Sequence, residues 1–139
     1  MKFKEVKRLK MNLLLYTSGI DEASKRLLKM ATNFPNKGIA EIFHSLENLT
    51  GRLNQPKNNH TVVVLHVATE KELSHVLSIY DFLQDIKLIL ILPDREEPTV
   101  AKGHKLHPRF LSYADSDFSD IGAVLNKMFE NAVSEYNLE

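Results

Sequence analysis

The sequence predicts a single α/β domain: a five-stranded parallel sheet in the order 2-1-3-4-5, with helices on both faces. Three observations carry that prediction. Short apolar runs without polar alternation recur along the chain, as in strands buried on both faces. Segments with apolar residues three and four apart separate these runs, the mark of amphipathic helices. The connections between them are only a few residues long, and strands alternating with helices in this way form a parallel sheet through right-handed crossovers. Five units are too few for a closed eight-unit barrel, and a reversal in strand order favours 2-1-3-4-5.

Residues 10–16, Lys-Met-Asn-Leu-Leu-Leu-Tyr, make the first buried strand, ended by Thr17-Ser18-Gly19. From Asp21 the spacing becomes helical, with Ala23, Leu27, Met30, Ala31 and Phe34 on one face and Pro35-Asn36-Lys37-Gly38 as the stop. Residues 39–44 form a weaker strand. Ser45 then caps a helix carrying Leu46, Leu49 and Leu53, which Gly51 leaves marginal. After the polar loop Asn54–His60, the β-branched run Thr61–Val67 is the clearest strand.

Thr69 and Glu72 have the spacing of a capping box, and Leu73, Val76, Leu77 and Tyr80 mark the helical face that follows. Lys87–Leu92 is a further buried strand, closed by Pro93-Asp94. A helix over about 95–105 must place Pro98 in its first turn, where the missing amide hydrogen costs nothing, and Gly103 near its end. Residues 109–113 form a short fifth strand. Beyond the turn at 114–117, Ile121, Val124, Leu125, Met128, Phe129, Ala132, Val133 and Tyr136 keep one helical face to the end. Residues 1–139 thus read as one domain with a core at about 10–136, without internal repeat or linker.

Composition narrows the function. Apolar residues make up 43% of the chain, too many for a disordered segment, and 18 basic side chains balance 18 acidic ones, which excludes a strongly cationic nucleic-acid binder. The absence of cysteine removes disulfides, thiolate metal sites and cysteine nucleophiles. No apolar run approaches the roughly 20 residues a membrane helix needs, and the basic start (Lys2, Lys4, Lys7, Arg8, Lys10) leads into no signal-like stretch. A cytoplasmic protein without membrane contact is expected. Leu138-Glu139 carries no functional reading.

The order and length of the units, together with the long closing helix, resemble the flavodoxin-like receiver domain of bacterial response regulators, the chemotaxis-type (CheY-like) fold, over about residues 10–133. That resemblance implies a phosphorelay pocket at the carboxyl ends of the strands. Active receivers hold magnesium with an acidic pair after strand one and accept phosphate on an aspartate ending strand three. A Thr or Ser after strand four and a lysine after strand five complete the set. Phosphoryl transfer needs such neighbours because it rests on positioning and charge neutralisation.

Here Thr17 and Ser18 stand in place of the acidic pair, and His66 falls at the phosphoacceptor position, with no carboxylate from Lys57 to Thr69. Pro93 follows strand four. No lysine occurs between Phe110 and Asn126, where Tyr113 and Ala114 occupy the position of the cation. The resemblance therefore implies a pseudo-receiver, not an enzyme, that needs no cofactor or metal and acts on a protein partner. A homodimer is one form such a partner takes. The output and dimerisation face of related receivers maps to about residues 95–133, with Lys102, Lys105, Arg109 and Tyr113 as contact candidates.

Other constellations are weaker. Asp21 and Glu22 lie past the strand end, where first-turn acids are favoured by the helix dipole without any ligand. His66 lacks companions for metal binding. Thr17-Ser18-Gly19 before a helix is a candidate anion site, and a flavin or another phosphate-bearing ligand there is the alternative reading. Neither G-x-x-x-x-G-K-[ST] nor G-x-G-x-x-G occurs, and no Ser-His-Asp order or G-x-S-x-G elbow supports hydrolysis. Lys102, His104, Lys105, His107 and Arg109 cluster without an acid or interleaved aromatics, so neither a metal nor nucleic acid is expected there.

Overall fold

A computed structural model describes residues 11–19, 21–32, 38–57 and 60–138, with backbone alone at 135–138. The basic start, Phe34, the stop at 35–37 and Glu139 lie outside the described residues, as do the side chains of Tyr136 and Leu138. In chain order the elements are β1 (Met11–Thr17), α1 (Glu22–Thr32), β2 (Gly38–Phe43), α2 (Leu46–Leu53), β3 (Thr61–His66), α3 (Glu70–Ser78), a single turn α4 (Tyr80–Leu83), β4 (Lys87–Leu92), α5 (Glu97–His104), β5 (Phe110–Tyr113) and α6 (Ser119–Leu138).

All pairings are parallel and the strand order is β2-β1-β3-β4-β5, as the alternation of strands and helices predicts. Side chains alternate across each strand, and the sheet therefore separates two cores. On one face Leu13, Leu15, Val62, Val64, Ile89 and Ile91 meet Ala23, Leu27 and Ala31 of α1 and Ile121 and Leu125 of α6. On the other, Leu14, Val63, Leu65, Leu88, Leu90 and Leu92 meet Leu49 and Leu53 of α2, Leu73 and Val76 of α3, and Leu83. Each fully buried Leu, Val or Ile contributes about 1.5–3 kcal/mol, so β3 and β4, buried along nearly their whole length, anchor the domain.

Local chemistry sets the ends of the elements. Ser45 caps α2, its hydroxyl accepting from Asn48 N at 3.1 Å, and Thr69 caps α3 by accepting from Glu72 N at 3.1 Å. α5 forms despite Pro98 because that residue sits in its first turn. The helical face from Leu73 to Tyr80 is not continuous. The Ile79 amide bonds back to Val76 O instead of continuing the i to i−4 ladder, and the chain bends into the separate turn α4.

Gly38 opens the edge strand β2 for a steric reason: a Cβ there would lie 1.9 Å from the Met11 carbonyl oxygen. β2 is also the least covered strand, with Ile39 55% exposed and Ile42 37% exposed. No helix among the described residues is long and apolar enough to cross a membrane.

Candidate functional site at the carboxyl ends of β1 and β3

Parallel pairing sets Thr17, the last residue of β1, directly beside His66, the last residue of β3. Both continue the alternation that points Leu13, Leu15, Val62 and Val64 toward α1 and α6, so both side chains enter that layer. Thr17 and His66 are buried, as is Ser24 in the first turn of α1. The Thr17 hydroxyl lies 2.8 Å from His66 Nδ1 and 2.7 Å from Ser24 Oγ. Ser24 Oγ in turn donates to Asp21 Oδ1 at 2.9 Å, and the same oxygen caps α1 by accepting from Ser24 N at 2.9 Å.

The proton count along this chain fixes its direction. An ionised carboxylate only accepts, so the single hydroxyl hydrogen of Ser24 goes to Asp21. Thr17 must then give its hydrogen to Ser24, which leaves Thr17 Oγ1 to accept from His66. His66 is therefore the Nδ1–H tautomer, at the head of a relay that runs through two hydroxyls to a carboxylate. Bonds that all point one way polarise one another.

Charge around the ring is mixed. Burial pushes the His66 pKa below its ordinary value and is the largest influence. The carboxylates of Asp21 and Glu72 oppose it, and Arg26 adds to it. The Asp21 carboxyl is held below the usual range, chiefly by the Ser24 backbone N–H. A neutral imidazole beside an ionised Asp21 is the state these shifts favour at neutral pH.

Ser18 turns the opposite way. Its hydroxyl donates to Glu72 Oε2 at 2.6 Å, while Glu72 Oε1 accepts from Ala68 N at 3.0 Å. The capping box expected from Thr69 and Glu72 is thus only half of the usual pair: the carboxylate passes the Thr69 amide and ties the end of β3 to the end of β1. Tyr16 stands nearby, and burial, aided by the Glu72 charge, pushes its phenol up, while the Ser18 hydroxyl opposes the shift. His44 Nδ1 lies 2.9 Å from the Thr17 carbonyl oxygen and holds the turn after β1 from the β2 side.

The far wall comes from α1 and the chain leaving β5. Arg26 donates through Nη2 to the Ala114 carbonyl at 2.6 Å, and its guanidinium carbon lies 5.2 Å from the Phe118 ring centroid. Ser112, on the same sheet face as Thr17 and His66, donates to Asp120 Oδ2 of α6 at 3.0 Å. Among the described residues no group of three or more His, Asp or Glu side chains is placed to hold a metal ion.

No protein-family model matches the sequence, and no curated protein matches it either. Solved structures do. The chain is similar to a response regulator from Burkholderia pseudomallei determined with a phosphorylated aspartic acid, a calcium ion and citrate, at 13% identity and a TM-score of 0.63 over 93% of this chain and 74% of that one. It is also similar to a pilus assembly-related protein from the same organism, at 12% identity and a TM-score of 0.60 over 86% of this chain and 90% of that one. An adenylate cyclase from Rhodopirellula baltica matches at 14% identity and a TM-score of 0.57 over 94% of this chain and 97% of that one. The fold is a receiver fold.

Of the residues singled out for the receiver pocket, the structure joins Thr17 and His66 and separates the others. Ser18 is exposed and engaged with Glu72 on the opposite sheet face. Tyr113 also faces away, under the Arg95 guanidinium at 4.3 Å, because β5 turns Ser112 and not Tyr113 toward Thr17. Pro93 follows β4 at the same edge, half-buried. The Thr17-Ser18-Gly19 anion site meets an adverse charge, since Ser18 already serves the Glu72 carboxylate; a cleft of about 450 Å³ beside Gly19 is bordered by Lys25, Leu28 and His44.

The contact candidates differ in what they touch. Lys102 is paired with Glu70 at 2.8 Å, binding α5 to α3, and Lys105 is exposed just after α5. Arg109 lies just before β5, at the edge where the strands begin. Sequence reading missed Ser24, Arg26, Glu72 as partner of Ser18, and the Ser112–Asp120 pair. One signal was present: Ser24 falls between Ala23 and Leu27 on the buried stripe of α1, where a hydroxyl must find a partner.

Proposed function

We propose that this receiver-fold domain is a signalling module that works by binding a protein partner in the cytoplasm, without accepting a phosphoryl group on an aspartate. The observation that carries this reading is the Thr17–His66 pair. Where an active receiver sets acids for magnesium and phosphate, this chain sets a hydroxyl and a neutral imidazole already bonded to each other at 2.8 Å. Neither is an anionic oxygen ligand for magnesium, and the pair leaves the ring's Nδ1 and the threonine hydroxyl spent on internal bonds. The partner surface in this reading is the α5–β5–α6 side, with the exposed Lys105 and the Arg95–Tyr113 stack as candidate contacts and a second copy of the chain among the proteins it accepts.

The test is incubation with acetyl phosphate or phosphoramidate and magnesium, followed by intact mass measurement and thermal unfolding. The reading expects no adduct and no magnesium-dependent rise in Tm. A near-stoichiometric phosphoryl adduct on any Asp or on His66 overturns it.

A further inference from the structure

At the sheet edge opposite Thr17 and His66, the starts of β3, β4 and β5 frame a depression of about 550 Å³. Its lining includes Lys57, Thr61, Gln84, Asp85, Lys87 and Arg109. Lys57 precedes β3, Lys87 opens β4 and Arg109 precedes β5, and parallel topology brings the starts of those neighbouring strands to one edge. Arg109 is fixed there by its own amide, which donates to the Leu88 carbonyl at 2.7 Å.

The charges do not cancel. Among the described residues, ion pairs join Lys25 to Glu22, Arg52 to Glu41, Arg95 to Asp115 and Lys102 to Glu70, and none includes Lys57, Lys87 or Arg109. Lys57 instead donates to the carbonyls of Leu53 and Gln55, which orders its ammonium without neutralising it. Asp85 is the one carboxylate of the lining, held at φ 63° at the turn into β4. A chain with no net charge thus concentrates an excess of two positive charges in one concave surface. Such concavity focuses the field on small anions, and a guanidinium fork flanked by ammonium groups suits phosphate oxygens.

We propose that this depression binds a small soluble molecule bearing phosphate groups, with at least two negative charges carried between Lys87 and Arg109. The site is independent of the proposed signalling function and uses none of the residues of the Thr17 relay. An anion here also relieves the mutual repulsion of the three cations.

Inorganic pyrophosphate is the probe, titrated at constant ionic strength with sodium chloride as balance, and read by calorimetry and thermal unfolding. Saturable binding is expected, with a Tm rise of roughly 5–10 °C at about 100-fold above Kd. The double variant K87Q/R109Q should bind at least about tenfold more weakly, whereas K127Q, on an exposed residue of α6, should match the parent. D85N should bind about threefold or more tightly, since it removes the only negative charge of the lining and asparagine accepts a positive φ; a gain of this kind cannot arise from misfolding. Stabilisation that sodium chloride reproduces, or undiminished binding by K87Q/R109Q, overturns the site. Sedimentation of the protein with phosphoinositide vesicles overturns its assignment to a soluble ligand, and protein left in the supernatant supports it.

Discussion

His66 and Thr17 face each other as register partners at the ends of β3 and β1, and the 2.8 Å contact between Nδ1 and Oγ1 makes the imidazole the donor at the head of a buried relay. Nitrogen-15 spectra at neutral pH should therefore show a protonated Nδ1 and an unprotonated Nε2. The opposite tautomer breaks the argument from proton count. Thr17→Val keeps the shape, strands the ring N–H and removes the donor to Ser24. It should cost about 1–3 kcal/mol in urea unfolding, and a loss under about 0.5 kcal/mol means the relay adds no stability.

The pH dependence of stability follows from the same ring. The His66 pKa is depressed in the folded state, so below the ordinary value of 6.5 the unfolded chain binds a proton that the native protein resists. Its contribution is thus constant above that value and declines as pH falls beneath it. His66→Asn retains a donor near the Nδ1 position and cannot titrate, so its unfolding midpoint should fall less between pH 6.5 and 5. Asp21 adds a separate loss at lower pH, since its depressed pKa contributes stability in full above the ordinary value of 3.8 and loses it as pH falls from there through the lower folded value. Equal slopes for parent and His66→Asn count against this assignment.

Glu72 reaches two strand ends at once. Glu72→Gln preserves the side-chain length and an acceptor but removes the charge, so both the His66 and Tyr16 pKa values should move down relative to the parent, as followed by NMR. Glu72→Ala also removes the acceptor for Ala68 N and Ser18, and should cost about 1 kcal/mol. Unmoved titrations in the Gln variant would place the carboxylate's influence elsewhere.

Gly38→Ala should be the most damaging change to the edge strand. The added methyl collides with backbone, the Met11 carbonyl, and not with a side chain that can rotate away. A loss of roughly 2–4 kcal/mol is expected in urea unfolding. A neutral result would require a different pairing of β2 with β1.

The layer structure was legible because runs such as Val62-Val63-Val64-Leu65 and Leu88–Leu92 fit strands buried on both sides, and Ala23, Leu27 and Ala31 fit one helical stripe. The break at Ile79 was not, since Leu73, Val76, Tyr80 and Leu83 also suit one straight helix and nothing in their spacing marks the tightened turn. In the site, the meeting of Thr17 with His66 followed from placing each at a strand end. The pairing of Ser18 with Glu72 did not, because it depends on which face a residue takes just after a strand stops alternating. Arg26 escaped for the same kind of reason: its contact with Ala114 joins positions that only the packing of α1 beside the end of β5 brings together.

Every ladder in this sheet joins segments with at least one helix between them, and β1 must find both β2 and the more distant β3. Among the described residues no hairpin exists to zip up locally as a first step. Assembly has to close long stretches of chain before any strand is rewarded with a neighbour, which places this domain among slower folders than a helical bundle of the same size. During that delay the apolar segments Thr61–His66 and Lys87–Leu92 stand unpaired, making the nascent chain's solubility depend on how soon the central pair closes.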